Sequence, residues 1–139
     1  MPRPNALKQY QSVGVSSGVE GATPHRLVQM LMEGALDKVS TARGALVRGD
    51  LAEKGRHIGW AINVIGGLRA SLDLEKGGEI AANLDQLYDY ITRRLSEGNI
   101  QNDPAALEEV QSLLGEIKAG WDAIPVALRQ LPPETRAAG

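Results

Sequence analysis

Apolar residues recur along most of this chain at alternating intervals of three and four positions, which is the spacing of an amphipathic helix. The first such stripe follows Thr23-Pro24, which has the form of a helix N-cap with proline in the first turn, and it ends before Gly49. Its members are Val28, Met32, Ala35, Val39, Ala42 and Leu46. The pattern predicts a first helix with one continuous apolar face.

Three further stripes follow, and turn-forming residues separate them. Asp50 and Glu53 have the spacing of an N-cap with a reciprocal partner, Gly77-Gly78 breaks the chain before the third stripe, and Asp103-Pro104 repeats the cap-plus-proline start. The three stripes are Ile58, Ala61 or Ile62, Ile65, Leu68 and Leu72; Ile80, Leu84, Leu87, Ile91 and Leu95; and Leu107, Val110, Leu114, Ile117, Trp121 and Ile124. Each stripe predicts one more helix.

The predicted fold is therefore all-α, an antiparallel four-helix bundle over residues 23–124, because short loops make consecutive long helices antiparallel. The third helix is expected to end near Gly98-Asn99, and no period-two alternation indicates a strand. Residues 1–22 are expected to form a flexible N-terminal segment that could include a short capping helix. Residues 125–139, rich in proline and alanine, are expected to form a disordered or frayed tail.

The second predicted helix carries more apolar surface than one face of a bundle needs. Between His57 and Leu68 no residue is formally charged while the histidine is neutral. Trp60, Val64 and Gly67 lie opposite its core stripe at helical spacing. Apolar area of this kind needs a cover, which could be the N-terminal segment, a second copy of the chain or a partner protein. The alternative is that these residues belong to the ordinary core of a splayed bundle.

Two other groups of apolar residues bear on this cover. Leu27 and Leu31 widen the apolar arc of the first helix, although core burial is the favoured interpretation for Leu31. Leu7, Tyr10 and Val13 are spaced like one short helical face, so the N-terminal segment could lie over the surplus apolar surface as a removable lid.

Amino-acid composition further limits the fold class, the partners and the location that can be expected. Aromatic residues make up 4% of the chain and phenylalanine is absent, which favours packed helices over a β-sandwich. The net charge of −2 includes no basic block, so neither nucleic acid nor an acidic membrane is an expected partner. No apolar run has the length of a signal peptide or of a membrane span, so the expected location is the cytoplasm.

Candidate catalytic and metal-binding patterns are incomplete. There is no cysteine and no Glu-x-x-His motif of a di-iron bundle, and His25, in the first turn of the first helix, is expected to be exposed. No P-loop or nucleophile elbow is found. We therefore expect no enzymatic activity, no metal and no cofactor.

Several motifs resemble the flagellar export chaperone family FliS, over about residues 7 to 122. The motifs are Tyr10, Ala22-Thr23-Pro24-His25-Arg26-Leu27, the long run Leu72-Asp73-Leu74-Glu75-Lys76-Gly77-Gly78-Glu79-Ile80-Ala81, Asn83-Leu84, Leu87-Tyr88-Asp89-Tyr90, Arg94-Leu95 and Trp121. The resemblance implies a helical bundle with a short N-terminal capping segment. It also implies a cytoplasmic chaperone that binds the disordered C-terminal region of flagellin, prevents its premature polymerisation and keeps it competent for flagellar type III export.

By the same resemblance, Leu7 and Tyr10 match the N-terminal segment tied to capping and partner binding, and Asn83, Tyr88 and Tyr90 match the signature of the third helix. Other flagellar export or regulatory proteins could share the surface. The alternative from another class is a self-associating structural bundle, in which the surplus apolar face makes a homo-oligomer.

Overall fold

The computed structural model describes residues 22–124, which form four helices. They are α1 (Pro24–Val47), α2 (Leu51–Ala70), α3 (Leu74–Gln101) and α4 (Pro104–Asp122), and no strand occurs within this range. The predicted all-α class is confirmed. The N-terminal segment up to residue 21 and the tail 125–139 lie outside the described residues, so the capping helix and the frayed tail stay predictions.

The helices form a bundle in which each packs against two neighbours. α1 contacts α2 and α4, and α3 contacts the same two helices from the other side, so the four lie around the core in chain order. Short connections make consecutive helices antiparallel. One end of the bundle therefore collects the start of α1, the end of α2, the start of α3 and the end of α4.

Each helix begins at a side-chain cap, as the sequence pattern predicts for three of them. A cap oxygen accepts a backbone N–H of the first turn and satisfies a donor that lacks a helical partner. The caps are Thr23, Asp50, Asp73 and Asp103, with oxygen to nitrogen distances of 3.1, 3.2, 3.0 and 3.0 Å. Pro24 and Pro104 occupy the first turns of α1 and α4, where a missing N–H costs nothing.

Asp50 caps α2 as predicted, but the predicted return contact, from the Glu53 side chain to the backbone N–H of Asp50, is wrong. The backbone N–H of Asp50 donates to the carbonyl of Ala45 at 2.9 Å, which closes the preceding helix. The Glu53 carboxylate instead accepts from Arg56 at 2.7 Å, and this guanidinium holds the pKa of Glu53 below its ordinary value. The Glu53 side chain therefore pairs with Arg56, one turn further along α2, and not with the backbone N–H of the cap residue Asp50.

The start of α3 also differs from the prediction, which placed a break at Gly77-Gly78. Asp73 caps a helical turn that begins at Leu74, one turn earlier, and Gly78 then kinks the helix with φ 56° and ψ −135°. Glycine tolerates this positive φ because it has no Cβ. At its other end α3 runs past Gly98-Asn99 to Gln101, where Asn102 adopts a left-handed conformation and donates its N–H to the carbonyl of Gly98.

The core follows the four predicted stripes. The stripes supply most of the side chains with almost no exposed surface, namely Met32, Val39, Ile58, Ile65, Leu68, Ile91, Leu95, Leu107, Val110 and Leu114. His25 and Val64, which lie outside the stripes, are equally buried. These buried side chains lie between helix faces, where exclusion of apolar area from water stabilises the fold.

Candidate functional site: an apolar groove at one end of the bundle

An open groove of about 270 Å³ lies at the end of the bundle where α1 and α3 begin and α2 and α4 end. All four helices contribute to it. Its lining comprises Val28, Met32, Leu68, Ser71, Leu72, Ile80, Leu84, Tyr88, Glu116, Ile117, Gly120, Trp121 and Ile124. We call this feature the groove.

Large apolar side chains remain partly open to water along the groove. Ile80, which belongs to the lining, is 47% exposed. Leu74 is not part of the lining but precedes Ile80 in the same helix and is 53% exposed. Leu84 and Ile117 pack against the core but are not fully covered. Contiguous apolar surface beside a concave space is typical of a site for another protein segment.

The polar groups of the groove are few and mostly engaged. The Ser71 hydroxyl donates to the carbonyl of Leu68 at 2.7 Å, so it offers little to a ligand. Tyr88 is buried, and burial raises the pKa of its phenol, which keeps it neutral at any physiological pH. Glu116 supplies the one carboxylate of the lining. Such a surface suits an apolar helix face far better than a polar small molecule.

His25 and Trp121 join α1 to α4 beside the groove. The rings stack with centroids 5.1 Å apart and planes 8° from parallel. The His25 Nε2 atom lies 2.7 Å from the Trp121 carbonyl oxygen, and the Trp121 indole N–H donates to the His25 carbonyl oxygen at 3.0 Å. The prediction that His25 is exposed is wrong, because only 1% of it is accessible.

A second polar contact strengthens the same junction. The Asp122 carboxylate accepts from Gln29 and from Lys118, both at 2.6 Å. The Lys118 ammonium is the main reason that the pKa of Asp122 lies below its ordinary value. The start of α1 and the end of α4 are therefore tied together by side chains at the rim of the groove.

Ion pairs cover two of the outer faces. Between α2 and α3, Arg69 donates to Asp85 at 2.6 Å, and this contact lowers the pKa of the carboxyl group. Between α3 and α4, Glu109 accepts from Tyr90 at 2.6 Å and from Arg94 at 2.7 Å, and both contacts lower its pKa. These faces behave as the solvated surfaces that their charge pattern indicates.

The predicted site residues fall into different places. Tyr88 lines the groove. Leu31, Val64 and Gly67 are buried within the bundle, so a partner could reach them only if the helices moved apart. For Leu31 the structure matches the favoured interpretation of core burial, and for Val64 it matches the alternative of ordinary core. Their assignment to a binding surface stays a prediction.

The remaining predicted residues are not gathered at the groove. Trp60 is half-buried, with its ring against Gly34 of α1 and with the Lys38 ammonium 5.1 Å from the ring centroid. Leu27 is half-buried, Asn83 is exposed and Tyr90 is engaged with Glu109. The three N-terminal residues Leu7, Tyr10 and Val13 lie outside the described residues. The roles assigned to all of these residues stay predictions.

The apolar end of the bundle was missed by the sequence reasoning, which assigned Leu72, Ile80 and Ile117 to the core. One signal was available. The long predicted stripes end at Leu72 and Ile124 and start again at Ile80, and all three positions flank chain breaks on the same side of an up-and-down bundle. Apolar residues that gather at one end of the helices favour an open surface there.

Two further observations limit the site's chemistry. Within residues 22–124, no three His, Cys, Asp or Glu side chains are placed together as metal ligands. None of the described helices is both long and apolar enough to cross a membrane.

Comparison with known proteins agrees with these observations. The family model described as "Flagellar protein FliS" matches residues 6–127. The flagellar secretion chaperone FliSB of Pseudomonas aeruginosa is 54% identical over 119 residues, which is 86% of this chain and 94% of that protein. The flagellar secretion chaperone FliS of Salmonella typhimurium is 48% identical over 121 residues, covering 86% and 90%, and that of Vibrio cholerae is 42% identical over 120 residues, covering 86% and 88%.

The names of these relatives describe chaperones, so the expectation that the chain is not an enzyme is confirmed by its relationships. The match extends through all four helices and includes every residue that lines the groove. The chain belongs to the FliS family of flagellar secretion chaperones.

Proposed function

We propose that this protein is a cytoplasmic export chaperone that binds the disordered C-terminal region of flagellin along the groove. The observation that carries the proposal is the contiguous apolar lining left open at one end of the bundle in a member of a secretion-chaperone family. Bound in this way, the flagellin segment cannot take part in polymerisation and stays available for flagellar type III export.

Binding is coupled to folding of the flagellin segment. An amphipathic helix places apolar residues at intervals of three and four, and these would pack against Leu72, Ile80 and Leu84. Each buried Å² of apolar area contributes about 25 cal/mol, which offsets the entropy lost when the segment becomes ordered. No covalent step and no nucleotide is needed, and release follows when the export machinery competes for the segment.

The N-terminal segment is the proposed lid of the free protein. The described chain begins at Ala22, directly before the start of α1 and hence at the groove end of the bundle. The chain between Val13 and Ala22 can span about 30 Å, so Leu7, Tyr10 and Val13 can reach the groove. A lid tethered this closely competes with flagellin at high effective concentration and prevents self-association of the apolar surface.

Titration calorimetry with a peptide from the C-terminal helical region of the cognate flagellin tests the function. The expected result is binding of about one to one with a negative change in heat capacity. Leu84→Glu, in the groove, should abolish binding, whereas Val47→Glu, at the opposite end and 82% exposed, should leave it unchanged. Trp60→Glu tests the α2 face, and loss of binding in that variant with retention in Leu84→Glu would move the site there.

Absence of binding by the folded wild type would overturn the flagellin assignment. Sedimentation measurements then test the alternative, a self-associating bundle. A dimer that ignores flagellin and is dissociated by Leu84→Glu would assign the groove to contact between copies.

The lid has its own test. Replacing Leu7, Tyr10 and Val13 together by serine should tighten binding of the flagellin peptide, because the competing segment loses its apolar face. Weaker binding in this variant would mean that the N-terminal segment contacts the partner instead of covering the groove.

A further inference from the structure

His25 is buried but does not line the groove, whereas its partner Trp121 does. The two residues are held by three contacts: the ring stack, the contact of His25 Nε2 with the Trp121 carbonyl, and the indole N–H donated to the His25 carbonyl. Each side chain thus binds the other residue's backbone. This reciprocal arrangement fixes both the position and the rotation of the indole ring.

The contacts act at helix ends, which are otherwise the least constrained parts of a helix. His25 lies in the first turn of α1 and Trp121 in the last turn of α4, where backbone groups lack part of their helical partners. The side chains of Gln29 and Lys118 hold the carboxylate of the neighbouring Asp122, which adds a further tie beside the indole. The Trp121 indole, held by these contacts, has one orientation instead of several.

We propose that His25 is a positioning residue for the groove, which fixes the Trp121 indole as a rigid wall against which the bound segment packs. Without the histidine ring, one face of the indole loses its stacking partner and the Trp121 carbonyl loses its contact with Nε2, so only the hydrogen bond from the indole N–H to the backbone carbonyl of residue 25 still holds the ring. The indole then occupies several rotamers, and some of them fill part of the groove. The groove binds its occupant more weakly because the wall must be ordered again on binding.

The binding test of this inference rests on the proposed flagellin function. His25→Ala is compared with Val110→Ala, a buried α4 residue outside the groove that serves as a control for general loss of stability. We expect the flagellin peptide to bind His25→Ala about tenfold more weakly. Val110→Ala should bind as the wild type does at a temperature where both variants are fully folded.

A conservative variant separates positioning from packing. In His25→Gln the side-chain amide can still donate to the Trp121 carbonyl, so affinity should recover in part relative to His25→Ala. Equal affinities in His25→Ala, Val110→Ala and the wild type would overturn the inference and leave His25 with a purely structural role.

A second measurement needs no partner and therefore separates this inference from the flagellin assignment. Methyl NMR of the free protein should show that His25→Ala shifts or broadens the signals of Leu84 and Ile117 in the groove. Signals of Leu107 and Leu95, at the other end of the bundle, should stay unchanged. Unchanged groove signals would overturn the inference, whether or not the flagellin peptide binds the wild type.

Discussion

The two ends of this bundle are built from the same four helices but are closed to different degrees. At the end opposite the groove, a Cβ placed on Gly98 of α3 would lie 3.1 Å from both Ala106 and Leu107 of α4, so the two helices are in close contact. Buried Lys54 donates to the Asn99 carbonyl at 2.7 Å and to the Asn102 side chain at 2.6 Å. We call this the closed end.

At the groove end, the same two helices face each other through larger side chains. Ile80 and Leu84 of α3 meet Ile117 and Trp121 of α4 across an open space instead of a glycine contact. Gly78 kinks the start of α3 at the same level. Val47, Leu51 and Ile100 are exposed at the closed end too, but exposed apolar residues are normal on any surface, and these three do not line the groove. The comparison teaches that side-chain size and capping contacts differ between the two ends, so the same four helices close one end of the bundle and leave an open groove at the other.

The largest effect should come from removing apolar volume at the closed end. Leu107→Ala should lower the free energy of unfolding by about 2–5 kcal/mol, because its fully buried side chain leaves a cavity. Leu84→Ala should cost about 1 kcal/mol, because Leu84 is already partly solvated in the groove. Urea unfolding measures both variants. Flagellin binding should be weakened only by Leu84→Ala, and equal losses of stability would contradict the difference between the ends.

Backbone conformation should give an intermediate effect. Gly78→Ala should destabilise the fold by roughly 1–2 kcal/mol, because an L-residue disfavours φ 56°. Gly66→Ala is the matched control inside α2, where an added Cβ meets nothing within 4 Å. It should stabilise the fold by about 0.5–1 kcal/mol. Thermal unfolding should show a lower melting temperature for Gly78→Ala and a higher one for Gly66→Ala. A stabilising Gly78→Ala would mean that the kink is not required.

The smallest effect should come from protonating Asp122, at the rim of the groove, at low pH. The folded pKa of Asp122 lies below its ordinary value of 3.8, with the Lys118 hydrogen bond as the first cause, so the contact stabilises the fold fully above that pH. The stabilisation is lost as the pH falls through the folded pKa, and it should amount to less than about 1 kcal/mol because both groups are partly exposed. Asp122→Asn should flatten this part of the stability curve, measured by urea unfolding between about pH 6 and 2. An unchanged slope would show that Asp122 contributes nothing.

Much of the fold was predictable because its signals are local. Thr23-Pro24, Asp50 and Asp103-Pro104 mark helix starts through hydrogen bonds within one turn, and the structure bears out all three. The start of α3 was missed because Gly77-Gly78 looked like a break, whereas the Asp73 cap begins the helix before it. Glycine in a sequence indicates conformational freedom but does not say whether a helix ends or only bends.

The candidate site was harder to predict, because contacts between residues far apart in the chain build it. The surplus of apolar residues on α2 predicted a face that needs a cover from outside the bundle, yet Val64 belongs to the core, where neighbouring helices bury it, as in the alternative interpretation. His25 and Trp121 are 96 positions apart, and neither residue's own surroundings in the sequence indicate a stack. Their pairing depends on α1 and α4 meeting at the same end of the bundle.

The sequence by itself determined the helical class, the number of helices and which face of each is apolar, because periodicity and caps act within a few residues. It also carried the family resemblance, since the signature from Leu72 to Tyr90 is contiguous. Only the tertiary structure decided which end of the bundle stays open and what forms its walls. Packing depends on how side chains from four helices fill a shared space, and the periodicity of a sequence does not describe how well they fill it.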